Sequence, residues 1–187
     1  MADSHWSKFL WLWPFVKNLH QIHAEYIQRF LAPFSYRINT HWGRFFFCRK
    51  NVHANVARNM FRKNFEPIST ALIEQLRSAF KSTGLCSSDG KHSYVKDLNS
   101  INIPILLLSG SADLQCPPSC MDEMAARITT SQHACLGIKS GQSEQYGHFD
   151  LIVGIHSKFE VWDRVLHFFI QNDTPRARSR PPPLWVA

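Results

Sequence analysis

Apolar positions recur along this chain with two different periods, and the change falls near residue 100. Leu19, Ile22, Tyr26 and Phe30 approximate one helical face, which predicts a helix from His20 to Leu31. Pro33 should end it, because proline lacks the N–H and clashes with the preceding turn. Ile68, Leu72, Ile73, Leu76 and Phe80 repeat at the same spacing. There Pro67 suits a first helical turn and Gly84 supplies the stop. Residues 1–18 are aromatic and without period, and Trp42–Cys48 is a short bulky run, read as a strand or a cap segment. Ser87-Ser88-Asp89-Gly90 has turn chemistry.

From Ile101 the pattern turns extended. Ile101-Asn102-Ile103-Pro104-Ile105-Leu106-Leu107-Leu108 is an almost unbroken apolar run ending in Ser109-Gly110. A strand apolar on both faces belongs in a buried parallel sheet. Pro104 is tolerated near its start, before the ladder engages. Pro117-Pro118 opens a helix to about Ile128, and a weaker strand follows at His133–Ile138. The loop Ser140–Gly147 leads to His148, and Phe159–Phe169 is strongly amphipathic. Strand, helix, strand, helix predicts two parallel strands joined by a right-handed crossover. From Gln171 the chain becomes Pro- and Arg-rich, the composition of a disordered tail.

Composition leaves room for a core, with 44% hydrophobic and 19% charged residues, and no run of eighteen apolar residues predicts a transmembrane segment. Charge changes the picture more. The net +7 is unevenly placed: residues 1–63 hold ten Lys/Arg against Asp3 and Glu25, a surplus of +8, so the remainder sums to about −1. Such a third could meet an anionic lipid surface, nucleic acid or an import receptor. Nucleic acid is not expected, because no RNA-binding signature or zinc finger accompanies the charge. The five cysteines include no C-x-x-C, and His20 and His23 at helical spacing lack further ligands, so no metal site and no cofactor are expected. Free thiols point to a reducing compartment, the cytoplasm, with organelle import as the competing location. Phe9–Val16 follows Lys8 like a signal h-region, but its aromatics, Pro14 and missing cleavage site argue against secretion.

Function enters through two residues. Ligand and catalytic groups of open parallel sheets collect beyond the carboxyl ends of the strands. Asp113 follows the first strand and His148 the second, so both should emerge at one rim, where a carboxylate can orient an imidazole and stabilise its charged form. The segment Pro104-Ile105-Leu106-Leu107-Leu108-Ser109-Gly110-Ser111-Ala112-Asp113-Leu114-Gln115-Cys116-Pro117 resembles the acid-bearing motif of the α/β-hydrolase superfamily. Tyr146-Gly147-His148-Phe149-Asp150 resembles that family's histidine loop, and the order acid then histidine agrees. Within the superfamily the chain looks most similar to acid-lipase-like and plant hydrolase-like proteins, over roughly residues 50–172.

The resemblance implies Asp113 as triad acid, His148 as general base, Asp150 as a residue that caps or positions the next helix, and hydrolysis of esters or lipids through an acyl-serine. Yet no G-x-S-x-G occurs in the 187 residues, and neither the oxyanion-hole loop nor the first five or six strands of the fold can be found. Ser109 and Ser111 share the acid's own loop, and nothing in the sequence sets Cys116 or Cys120 against the histidine. The expected fold class is therefore α/β: the C-terminal portion of an α/β-hydrolase, with an incomplete sheet, preceded by a helical cap-like segment. The divisions are residues 1–50, a basic aromatic extension; 51–100, cap-like; 101–171, hydrolase portion; and 172–187, tail. The expected function is a truncated or partial hydrolase, inactive alone, that acts on an ester or lipid substrate only if a complementary hydrolase fragment supplies the nucleophile. The competing reading is a non-enzymatic module that binds lipid or nucleic acid through the basic N-terminal third.

Overall fold

The computed structural model describes residues 11–34 and 41–173. Residues 1–10 of the extension, residues 35–40 and the tail from 174 lie outside the described residues.

The molecule is a mixed α/β chain with a two-stranded parallel sheet and a separate antiparallel pair. The apolar run at 105–108 forms strand β3 (Ile105–Gly110), helix α6 (Pro118–Ala125) follows, and β4 (Ser131–Leu136) returns parallel to β3. Ile105 faces Ser131 and each later pair keeps step, to Gly110 opposite Leu136. Pro104 stands just before the strand, where its missing N–H breaks no ladder bond. Pro118 opens α6, where a free N–H would have no intrahelical acceptor. After the loop that carries His148 come a short helix, α7 (Asp150–Val153), a wide π-type turn at Lys158–Trp162, and α8 (Asp163–Asn172).

The N-terminal half comprises α1 (Trp13–Val16), β1 (Gln21–Ile22), α2 (Ala24–Leu31), α3 (His41–Phe46), α4 (Ala54–Lys63), β2 (Ile68–Ser69) and α5 (Thr70–Arg77). It departs from the sequence pattern in three places. After Pro67 the chain is extended, because Gln21 pairs with Ser69 and Ile22 with Ile68. The Thr70 N–H also donates to the His20 carbonyl at 3.1 Å, and its hydroxyl to the Leu19 carbonyl at 2.5 Å. Those long-range bonds outweigh helix propensity until Thr70. Secondly, His20 precedes β1 and His23 precedes α2, so the two imidazoles share no helix face. Thirdly, the bulky run at Trp42–Cys48 is largely helical.

That run is also central to the core. Phe45, Phe46 and Phe47 are buried with Ala32, Val52, Ala57, Met60 and Phe61. The Phe46 ring centroid lies 5.0 Å from Phe61, 5.9 Å from Phe65 and 6.1 Å from Phe149. Burial is thus continuous across residue 50 and reaches the histidine loop. A smaller cluster of Leu136, Tyr146 and Val161 closes the sheet against the C-terminal helices. Among the described residues neither β3 nor β4 has a second strand neighbour, and no helix is long and apolar enough to cross a membrane.

Candidate functional site

The carboxyl ends of β3 and β4 are joined before any side chain is considered. The Ser111 N–H donates to the Leu136 carbonyl at 2.8 Å, and the Ala112 N–H to the Tyr146 carbonyl at 2.8 Å. The acid loop and the histidine loop therefore touch backbone to backbone. Gly110 permits this: a Cβ there would stand 2.7 Å from the Gly147 carbonyl oxygen, closer than real Cβ atoms approach.

Asp113 is 4% exposed. Its Oδ1 accepts the backbone N–H groups of Gln115 at 2.8 Å and Cys116 at 2.9 Å. These bonds turn Oδ2 toward His148, whose Nδ1 lies 2.8 Å away. A carboxylate only accepts, so Nδ1 carries the proton and the neutral ring presents Nε2 as its basic nitrogen. Nε2 has no hydrogen-bond partner among the described residues, and the side chain is 37% exposed. The structure thus brings together the two residues singled out in the sequence.

Further residues fix the histidine. Tyr146 is fully buried, and its hydroxyl donates to Glu160 Oε2 at 2.7 Å. Burial and the Glu160 carboxylate push the Tyr146 hydroxyl up. Burial raises Glu160 too, but bonds from the Ser143 hydroxyl and N–H and from Tyr146 outweigh it and hold that carboxyl below its ordinary value. On the other side of His148, the Phe149 N–H donates to the Phe46 carbonyl at 3.0 Å. Asp150 Oδ2 accepts the N–H groups of Gly147 and Cys48, each at 2.9 Å. Asp150 opens α7, but its carboxylate reaches back to tie the histidine loop to the end of the phenylalanine run. Gln115 makes the matching tie for the acid loop, its Nε2 donating to the Phe45 carbonyl at 3.0 Å. Sequence reasoning assigned the Phe45–Cys48 segment no part in the site, and its only signal was its unusual bulk.

Among the described residues, no nucleophile joins the pair. Burial and the Asp150 carboxylate push the Cys48 thiol up to about 12. Burial, Cys120 and Asp113 push Cys116 up to about 11. Neither is a thiolate at neutral pH. Ser111 is bonded to Gln145.

A Ser–His–Asp chain elsewhere in the sheet escaped the sequence reading. Ser109 Oγ lies 2.9 Å from His133 Nε2, and His133 Nδ1 lies 3.0 Å from Asp122 Oδ1. By the same logic as at His148, Asp122 fixes the Nδ1 proton, and the Ser109 hydroxyl donates to Nε2. Ser109 lies within β3 and is 1% exposed, so no carbonyl substrate can reach it. The chain is a tie from α6 through β4 to β3. Among the described residues, no group of three or more His, Cys, Asp or Glu side chains could hold a metal ion.

Compared with protein-family models, curated proteins and solved structures, the chain matches none of them.

Proposed function

We propose that this chain carries the acid and base of a Ser-His-Asp acyl hydrolase of the α/β-hydrolase type, and that alone it turns over no ester. The single observation behind the reading is the 2.8 Å contact between His148 Nδ1 and Asp113 Oδ2, made beyond the carboxyl ends of paired parallel strands. Asp113 is buried and fixed by two backbone donors, whereas His148 Nε2, on a partly exposed ring, has no partner among the described residues. That is the arrangement of a general base awaiting a hydroxyl.

In this reading a second polypeptide supplies the serine. Nε2 takes the serine proton as Oγ attacks an ester or lipid carbonyl, and Asp113 stabilises the resulting imidazolium. The proton then passes to the leaving alcohol, and water hydrolyses the acyl-serine by the same route. The edges of the parallel sheet, which have no further strand neighbour among the described residues, are where that polypeptide's strands and serine would pair. The five free thiols suit a reducing compartment, the cytoplasm.

Fluorophosphonate labelling tests the proposal. The purified chain should form no adduct. When the tagged chain is isolated from its native source, a co-purifying polypeptide should label, and His148→Ala in the tagged chain should abolish that labelling. His148→Ala should lower ester turnover of the pair on the order of 10⁴-fold or more, as loss of a triad member does. An adduct on this chain itself, or partner labelling indifferent to His148, would overturn the reading.

A further inference from the structure

We propose that the exposed face of α2, together with the neighbouring Trp11 and Phe15, is an attachment surface for anionic membranes. The proposal is independent of the hydrolase reading.

On α2, Tyr26, Ile27, Phe30 and, in the 3₁₀ turn that continues it, Phe34 fall within one arc of about 100° at the helical angle per residue. They are 65%, 64%, 76% and 52% exposed. The opposite face is the packed one, with Glu25 and Ala32 buried and α4 lying against it. This helix is therefore inverted relative to an ordinary surface helix, which turns its apolar stripe inward and its polar face to water. Just upstream, Trp11 and Phe15 are 67% and 74% exposed and lie edge to face with centroids 6.5 Å apart. Aromatic and aliphatic side chains shown together to solvent suit the boundary between headgroups and acyl chains.

Charge selects the occupant. Lys17 and Arg29 are interleaved in sequence with the aromatics and exposed. Up to Lys63, the only carboxylate among the described residues is Glu25, which is 4% exposed and bonded to His23 at 2.9 Å. A surplus of +8 over residues 1–63 thus stands with no exposed negative charge among the described residues of that stretch. A second copy of the chain would bring like charge against like. An anionic lipid surface complements both the charge and the apolar face, each basic side chain near it strengthening attachment by about five-fold. Nucleic acid would answer the charge but leave Ile27 and the aliphatic part of the patch exposed to water.

Vesicle flotation of the full chain decides the matter, using phosphatidylcholine vesicles with and without 30 mol% phosphatidylserine, at low and high salt. Expected are binding to the anionic vesicles, at least ten-fold weaker binding to the neutral ones, and a marked loss at high salt, where the Debye length shrinks to a few ångströms. Tyr26→Ser/Phe30→Ser should weaken anionic binding at least ten-fold. Both side chains are already in solvent, so an unchanged circular dichroism spectrum would show that the fold survives. Arg29→Glu should weaken binding and flatten its dependence on lipid charge, because two units of favourable charge are lost. Equal binding to both vesicle types, or binding indifferent to the serine variant, would overturn the proposal. So would absence of lipid binding accompanied by self-association that the serine variant abolishes, which would assign the patch to a second copy. Preferential binding of single-stranded RNA over anionic vesicles would assign it to nucleic acid.

Discussion

Asp150 holds a carboxyl group that is 0% exposed, close to the carboxylate of Asp113. Burial raises its pKa to about 6, against the pull of the Gly147 and Cys48 N–H groups. Because the folded value lies above the unfolded one, the folded state binds the proton more tightly. The stability from this group is complete below about pH 4 and is lost as pH rises through about 6. The change corresponds to roughly 3 kcal/mol. Asp150→Asn removes the titration, and its amide oxygen, set where Oδ2 lies, still accepts both the Gly147 and the Cys48 N–H groups. The variant should therefore unfold close to the parent at pH 4 and at a higher Tm than the parent by pH 7, as read by thermal denaturation across that range. A difference constant with pH would contradict the assignment. His133 allows a second test at this scale. His133→Leu leaves the buried Ser109 hydroxyl without its 2.9 Å partner, so it should cost about 1–3 kcal/mol. Adding Ser109→Ala should recover part of that loss, and urea unfolding of the two singles and the double would give the coupling.

Among the elements, α3 and α4 govern the site without containing any of its chemistry. Phe61 is 3% exposed, and its ring lies 5.0 Å from Phe46, whose carbonyl holds the Phe149 N–H beside the candidate base. Phe61→Ala should destabilise the chain by about 3–5 kcal/mol. It should also raise amide exchange at Gly147 and Phe149 more than in β4. Loss of stability with uniform exchange would detach this helix pair from the histidine loop. The sequence was legible where a local pattern decided the outcome. The run at 105–108 predicted β3, Pro117-Pro118 predicted the start of α6, and two short motifs placed Asp113 and His148 at one rim. It was illegible where distant partners decided. Pro67 suggested a helix start, but Ile68 found Ile22. Phe45–Cys48 had no reading as part of the site because its partners lie far along the chain, Gln115 70 residues from Phe45 and Asp150 102 from Cys48. The Ser109–His133–Asp122 chain depends on strand register and on how α6 packs, and no periodicity encodes either.

At the scale of the whole molecule, one side is left uncovered by the described residues. A groove of about 460 Å³ runs between β3 and the C-terminal helices, lined by Leu108, Leu151, Val161, Val165 and others. Around it, Ile152, Trp162, Leu166 and Phe169 are 63%, 53%, 55% and 64% exposed. Together with β3 and β4, which lack further strand neighbours among the described residues, this surface resembles a core opened to solvent, and such edges template association with other chains. In the proposed function a complementary polypeptide fills it; without one, the chain should pair with itself. Leu166→Lys/Phe169→Glu places opposite charges on two side chains that are already largely in water. The fold should therefore survive within about 0.5 kcal/mol, as surface changes generally allow. Sedimentation velocity over a concentration series should show the parent chain associating and the variant remaining monomeric, with weaker fluorescence from a bound apolar dye. The same variant should fail to recover the labelled partner even though Asp113 and His148 are untouched. Recovery of that partner at parental levels would move its docking surface away from this groove.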